Sequence, residues 1–282
     1  MSILDLPFNR LACSIRTATL CSHLSSYAYG EKEQVSANLN QFGLSLVSYF
    51  DVDGIQGFIA KDDKIAFLIF RGTDLDVRDF AVDLSFFKIE SGIGKVHKGF
   101  YEAFKKIQLF VEFDLKELKL PLIVSGHSLG GALAIMATRF LDVEIRDRIS
   151  SIYTFGAPGV GDYRFESACM ELPLYKFVHK QDIVSRVPFF MKKPGTLYFS
   201  SGEKIERGNT AYWSYMGNNL LSMLQILELR YSKKIMLDRL KSTKPMFDNH
   251  GIQNYVDLLE NHLKANNQAM IKMVAEPISI DL

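Results

Sequence analysis

Ser128 stands in the stretch SGHSLGG, residues 125–131. A serine hydroxyl is a sluggish nucleophile until a base takes its proton and a third group steers that base. Gly-x-Ser-x-Gly alone is a weak signal of such chemistry, and its flanks strengthen it. The apolar run PLIVSG (121–126) reads as a buried strand, and GALAIMATRFL (131–141) reads as an apolar helix of small residues. A sharp strand-to-helix turn strains the serine backbone, and Gly126 and Gly130 remove side chains that would collide across it. The amide of Leu129 opens the helix, where unpaired N–H groups and the dipole favour an anion, so it is one candidate oxyanion donor. The competing reading is a glycine-rich structural turn.

The base is sought among the histidines around and after the serine. His97 and His127 precede or adjoin the serine, and His179 lies in a strand leading into an acid candidate. His250 and His262 remain. His250 sits in the polar turn of MFDNHGIQNYV (246–256), just before a helix, whereas His262 falls inside that helix. A loop histidine reaches a neighbouring element more easily, which favours His250 over His262. For the acid, Asp182 ends the strand of PLYKFVHKQD (173–182), and functional groups of open α/β sheets gather at the carboxyl ends of strands. Asp162 competes but looks like a helix cap, and Asp248 reads as a local turn former. A second oxyanion donor is expected from the loop after an earlier strand. There IAFLIFRGTDLD (65–76) offers Thr73 beside Gly72, with an ordinary strand-ending turn as the alternative.

The elements that must position these residues alternate in type. A helix is expected over 10–28, with Leu11, Ile15, Ala18 and Leu24 near one face. Residues 44–70 read as three short strands broken by turns at 51–54 and 61–63, and the continuously apolar third strand is expected to be covered on both faces. A helix over 99–118, the strand before Ser128, the helix after it, and strands within 151–158 and 173–182 follow. The pattern is α/β with a mostly parallel central sheet flanked by helices, in a single domain over 1–282.

A net charge of +1 gives no field for nucleic acid, and the absence of HExxH and CxxC argues against a metal site or cofactor. Cys13 and Cys21, read as sharing one helix, would lie about 12 Å apart along it, too far for a disulfide. Asp5, Pro7 and Arg10 interrupt the first apolar residues, and no apolar stretch is long enough to span a bilayer. The default expectation is a cytoplasmic chain, with export by a route that needs no cleaved signal left open.

Taken in order, FRGTDLDVRDFAVDLSF (70–86), GKVHKGFYEAF (94–104), SGHSLGGALA (125–134), FGAPGVGD (155–162) and VHKQDIVSRVP (178–188) resemble the blocks of the class 3 lipases, the family that includes the secreted triacylglycerol lipases of filamentous fungi. The resemblance runs over about residues 40–190 and resumes around His250. It implies an α/β-hydrolase fold, Ser128, Asp182 and His250 as a triad, Thr73 and Leu129 as oxyanion donors, and a lid after Thr73. Three departures stand out: Ser185 where the family commonly has proline, Asn249 between Asp248 and His250, and no disulfide framework of the secreted fungal kind.

The lid-like segment 74–90 interleaves Leu75, Val77, Phe80, Leu84 and Phe87 with Asp74, Arg78 and Asp83, which suits a cover that turns its apolar face to lipid or, equally, a packed element that never opens. A helical insertion over 210–244, ahead of His250, carries Trp213, Met216, Leu220, Leu224 and Leu227 at helical spacing. A basic run from Arg230 to Lys244 follows. It reads as a membrane-surface element or as an excursion packed on the core. The expected activity is hydrolysis of acylglycerol or phospholipid esters by a lipase, esterase or phospholipase A1-like enzyme, with lipid ester substrate and a lipid interface as partners. Acyl transfer by the same residues, or a catalytically idle lipid-binding module, are the other readings.

Overall fold

The computed structural model describes residues 13–73, 87–188, 191–202, 204–208 and 248–275. Residues 74–86 of the lid-like segment and the whole 210–244 insertion lie outside them.

Helix α1 (Ile15–Tyr27) starts where the side chain of Ser14 accepts the Thr17 N–H at 3.1 Å, an N-cap that satisfies one orphan amide. The helix expected over 10–28 therefore begins at Ile15, and Leu11 lies outside the described residues. Cys13 precedes the helix instead of sharing it with Cys21, which corrects the sequence reading. All three cysteines are free, and burial pushes the Cys13 and Cys169 thiols up to about 12, so neither forms the reactive thiolate readily.

After α2 (Lys32–Asn40), strands β1 (Ser45–Val52) and β2 (Ile55–Lys61) form a hairpin. Asp53 and Gly54, at φ 53° and 77°, supply the left-handed pair that a tight two-residue turn needs. Strand β3 (Ala66–Phe70) follows. Strands β4 (Lys88–Glu90) and β5 (Lys95–His97) make a separate small hairpin, so the last residues assigned to the lid are paired strand. The chain continues through α3 (Lys98–Leu118), β6 (Leu122–His127), α4 (Leu129–Phe140), α5 (Val143–Arg146) and β7 (Ile149–Phe155). It then passes through α6 (Tyr163–Ala168), β8 (Leu174–His179), β9 (Thr196–Ser200), β10 (Ile205–Arg207) and α7 (Ile252–Ala275).

Among the described residues, eight strands form one sheet in the order β1-β2-β3-β6-β7-β8-β9-β10. The run from β3 to β9 is parallel, and the edges are antiparallel. This is the mostly parallel α/β sheet that the alternation of apolar runs predicts. Strand β3 is buried along its length because its residues alternate between two helical layers. Leu68 and Phe70 pack with Val124, Ile152 and the α3 and α4 side, while Phe67 and Ile69 pack with Ile123, Tyr153, Leu24 of α1 and Tyr255 of α7.

Helix α3 shows what the layer demands of a sequence. Phe104, Ile107, Val111 and Leu115, spaced three and four apart, are buried, whereas Phe113 on the outer face is 73% exposed. Replacing Phe104 by Ala should therefore cost about 3–5 kcal/mol of stability, and Phe113→Ala no more than about 0.5 kcal/mol. Urea midpoints of the two variants measure the contrast, and equal shifts would contradict the assigned faces.

Candidate active site

Strand β6 ends at His127, and Ser128 takes φ 56° and ψ −125° before α4 begins. Such a backbone is costly for a residue with a side chain, of order 1–3 kcal/mol, and it persists because its surroundings fix it. The Ser128 N–H donates to Phe155 O at 2.9 Å, and its carbonyl accepts from Gly131 and Ala132, so both sides of the turn are anchored. The close approach is backbone on backbone. A Cβ on Gly126 would lie 2.3 Å from the carbonyl carbon of Gly130, and one on Gly130 would lie 2.2 Å from Phe70 O. Gly126 thus clears the turn itself, as the spacing suggests, whereas Gly130 lets the helix rest on the end of β3. Ser128 is 3% exposed.

Phe155 ends β7, and the residue after it closes the arrangement. Gly156 has φ +59°, and a Cβ there would sit 2.5 Å from Asp182 Oδ2 and 2.9 Å from His250 Nδ1. Only a residue without a side chain admits both groups. Asp182 follows β8, and His250 occupies the turn before α7. His250 Nδ1 lies 2.9 Å from each carboxylate oxygen of Asp182, with both side chains fully buried. Since the carboxylate accepts, Nδ1 carries a proton. Among the described residues, the buried His250 Nε2 has no hydrogen-bond partner.

Asp182 is held from several sides. Tyr255 donates its phenol to Oδ2 at 2.5 Å, and Val184 N–H donates to Oδ1 at 2.9 Å. Ser185 donates its hydroxyl to the Asp182 carbonyl at 2.7 Å, a bond that the proline common in the family could not make. Burial works to raise the Asp182 pKa. The attraction of His250 and the hydrogen bonds from His250 and Tyr255 outweigh it and hold the carboxyl below its ordinary value. Burial, then the Asp182 charge, pushes the Tyr255 phenol well up, so it remains a donor.

The residues set aside have structural jobs. Asp162 caps α6, accepting from Arg164 and Phe165 amides at 3.0 Å each. Asp248 is exposed, and its carbonyl accepts from Asn254. His262 lies on α7, half-buried and more than three turns beyond His250. Thr73 and Leu129, the two oxyanion candidates, line a common cleft of about 370 Å³ with Ile55, Gln56, Arg71 and Leu133. Among the described residues, no group of three or more His, Cys, Asp or Glu side chains is placed to hold a metal ion.

Sequence reasoning missed Tyr255, Gly156, Tyr29 and the part played by His127. Tyr255 follows His250 by five residues at the start of a helix, and Gly156 follows a strand, so both had a local signal. Tyr29 had none. The His127 ring stacks on that of His250 with centroids 4.6 Å apart.

Residues 67–192 match the family model described as Lipase (class 3). A curated lipase of Rhizopus niveus is 33% identical over 150 residues, covering 47% of this chain and 37% of that protein. A triacylglycerol lipase of Ricinus communis is 42% identical over 77 residues, covering 24% of this chain and 15% of that protein. The matches therefore span well under half the length of these curated relatives. Among solved structures, a lipase from Rhizopus microsporus var. chinensis superposes with a TM-score of 0.58 at 28% identity, over 72% of this chain and 84% of that one. The α/β-hydrolase fold is thus common to both.

Burial, and then repulsion from His250, lowers the His127 pKa to about 3. Burial, and then Lys180, lowers that of His179 to about 4. Both are neutral in the folded chain at pH 5, where unfolded histidines with ordinary values of 6.5 bind protons. Unfolding therefore takes up protons. Stability is complete above about pH 6.5 and falls as pH drops from there towards 4 and then 3. His127 alone should contribute a slope of up to about 1.4 kcal/mol per pH unit. Urea midpoints at pH 7.5 and pH 5 read it, and His127→Gln should flatten the dependence. A stability unchanged over that interval would contradict neutral burial.

Proposed function

We propose that this chain, whose residues 67–192 match the class 3 lipase model, hydrolyses carboxylic esters of acylglycerols through an acyl-enzyme on Ser128. The observation that carries the reading is the buried His250–Asp182 pair packed against Gly156, one residue beyond the carbonyl that fixes the backbone of Ser128.

Ser128 Oγ attacks the ester carbonyl, and its proton passes to His250 Nε2, the ring nitrogen that Asp182 does not engage. Asp182, kept ionised, stabilises the imidazolium through Nδ1–H. The carbonyl electron pair moves onto oxygen, which receives the amides of Thr73 and Leu129, each such donor being worth about 10²–10³ in turnover. Collapse expels the alcohol, which leaves with the proton from His250. Water then gives a proton to His250 and attacks the acyl carbon, and Ser128 departs with that proton restored.

The substrate class rests on the relatives. The Ricinus communis protein is a triacylglycerol lipase, and acylglycerols are the corresponding reading for this chain. Phospholipids present the same acyl ester and extend the proposal to phospholipase A1-like cleavage. Contact with a lipid surface belongs to the same reading. It is supported by the apolar and basic residues of 74–86 and 210–244. A panel of chain lengths and head groups, assayed above and below the critical micelle concentration, tests both parts. Turnover that jumps at the interface supports surface contact, and a smooth saturation curve speaks against it.

Ser128→Ala should abolish p-nitrophenyl butyrate hydrolysis and fluorophosphonate labelling while leaving the circular dichroism spectrum unchanged. Full retained turnover would end the proposal. Gly156→Ala forces a methyl into the space held by Asp182 Oδ2 and His250 Nδ1 and should lower kcat by about 100-fold. Steady-state kinetics on the same ester measure it.

A further inference from the structure

The hydrogen bonds around His127 run further than the site so far described. His127 Nε2 lies 2.7 Å from the carbonyl oxygen of His250, and its Nδ1 lies 2.7 Å from Tyr29 Oη. A carbonyl only accepts, so Nε2 carries the proton and donates, leaving the Nδ1 lone pair to accept the Tyr29 hydroxyl. The Tyr29 oxygen also packs against the backbone of Gly72, so close that a Cβ there would lie 2.1 Å away. Arg71 lies over the Tyr29 ring at 5.4 Å.

One line of contacts therefore runs from the packed backbone of Gly72, through the hydrogen bonds of Tyr29 and His127, to the backbone of His250. Its two ends belong to different parts of the proposed machinery. Gly72 immediately precedes Thr73, and His250 is the proposed base. The two are remote in sequence and sit on separate loops. The donor and base must share a geometry held to about 0.5 Å and 10–20°. Asp182 restrains only the Nδ1 edge of His250. The carbonyl bond to His127 restrains its backbone, and the ring stack restrains its plane.

Resting on the ester-hydrolase reading, we propose that Tyr29 and His127 are positioning residues that hold the oxyanion loop and the catalytic base in register through this chain of one packing contact and two hydrogen bonds. Neither touches the reacting atoms. Loss of the chain should lower the rate of the chemical step and leave substrate binding nearly intact.

The test uses the full chain with Tyr29→Phe, His127→Phe and His127→Gln, assayed on p-nitrophenyl butyrate. Active sites are counted by saturating fluorophosphonate labelling. Tyr29→Phe and His127→Phe should each lower kcat per labelled site by about 10- to 100-fold, with KM within about twofold. His127→Gln can accept from Tyr29 and donate to the His250 carbonyl, so it should recover most of the loss. A kcat within twofold of the parent in Tyr29→Phe, or a His127→Gln variant as slow as His127→Phe, overturns the proposal. Tyr29→Phe removes one oxygen and decides the matter alone if His127→Phe does not fold. The ¹⁵N spectrum of the His127 ring needs no turnover. The Nε2-protonated tautomer, with an Nδ1 shift on Tyr29→Phe, supports the chain, and the opposite tautomer refutes it. A parent protein that neither hydrolyses esters nor labels at Ser128 would instead defeat the reading of function, leaving the ring spectrum to judge the chain.

Discussion

A left-handed serine backbone between a central strand and its following helix cannot exist alone, because nothing in the local chain favours φ 56° for a residue with a Cβ. Its neighbours supply the constraint. Sheet register pairs Phe70 with Gly126, and Gly126 with Thr154, so the ends of β3, β6 and β7 come level. The first turn of α4 then lies directly on backbone, with Phe70 O beneath Gly130 and Ala157 against Gly131. Once that contact forms, the serine has one conformation, and the helix start stands beside the oxyanion loop. The pocket, the dyad and the cleft all take their positions from it.

The polar groups behind the serine obey a different logic. Asp182 and His250 are fully buried, where an ionised carboxylate alone would be strongly disfavoured. The carboxylate is tolerated because each oxygen is used. Oδ1 receives Val184 N–H, Oδ2 receives the Tyr255 phenol, and both face His250 Nδ1. A network of this kind stabilises only when complete, since removal of one member leaves a buried charge without compensation. The same reasoning covers His127, a buried imidazole with both ring nitrogens engaged. Polar groups from β6, β8, α7 and the turn after α1 thus meet in one place, although the layers around them are apolar.

The sequence by itself determined the order and kind of the central elements, whereas α2, β4, β5, β9 and β10 emerged only in the structure. Continuous apolar runs such as AFLIF read as strands covered on both faces, and SGHSLGG between a strand and a helix of small residues marks a strained turn. Ser128, Asp182, His250, Thr73 and Leu129 could be named because each stands at the end of an element, where local pattern is informative. The structure moved boundaries by a few residues. It took Cys13 out of α1, and it made residues 88–90 a paired strand, since β4 pairs with β5 and no local signal announces that partner. Tertiary structure alone decided which side chains surround the dyad. Tyr29 meets His127 across 98 residues, and Tyr255 meets Asp182 across 73. Such contacts depend on sheet register and on the stacking of helical layers, which bring distant positions within 3 Å of each other. Periodicity reports which face of an element is buried, and it carries no information about the partner that buries it.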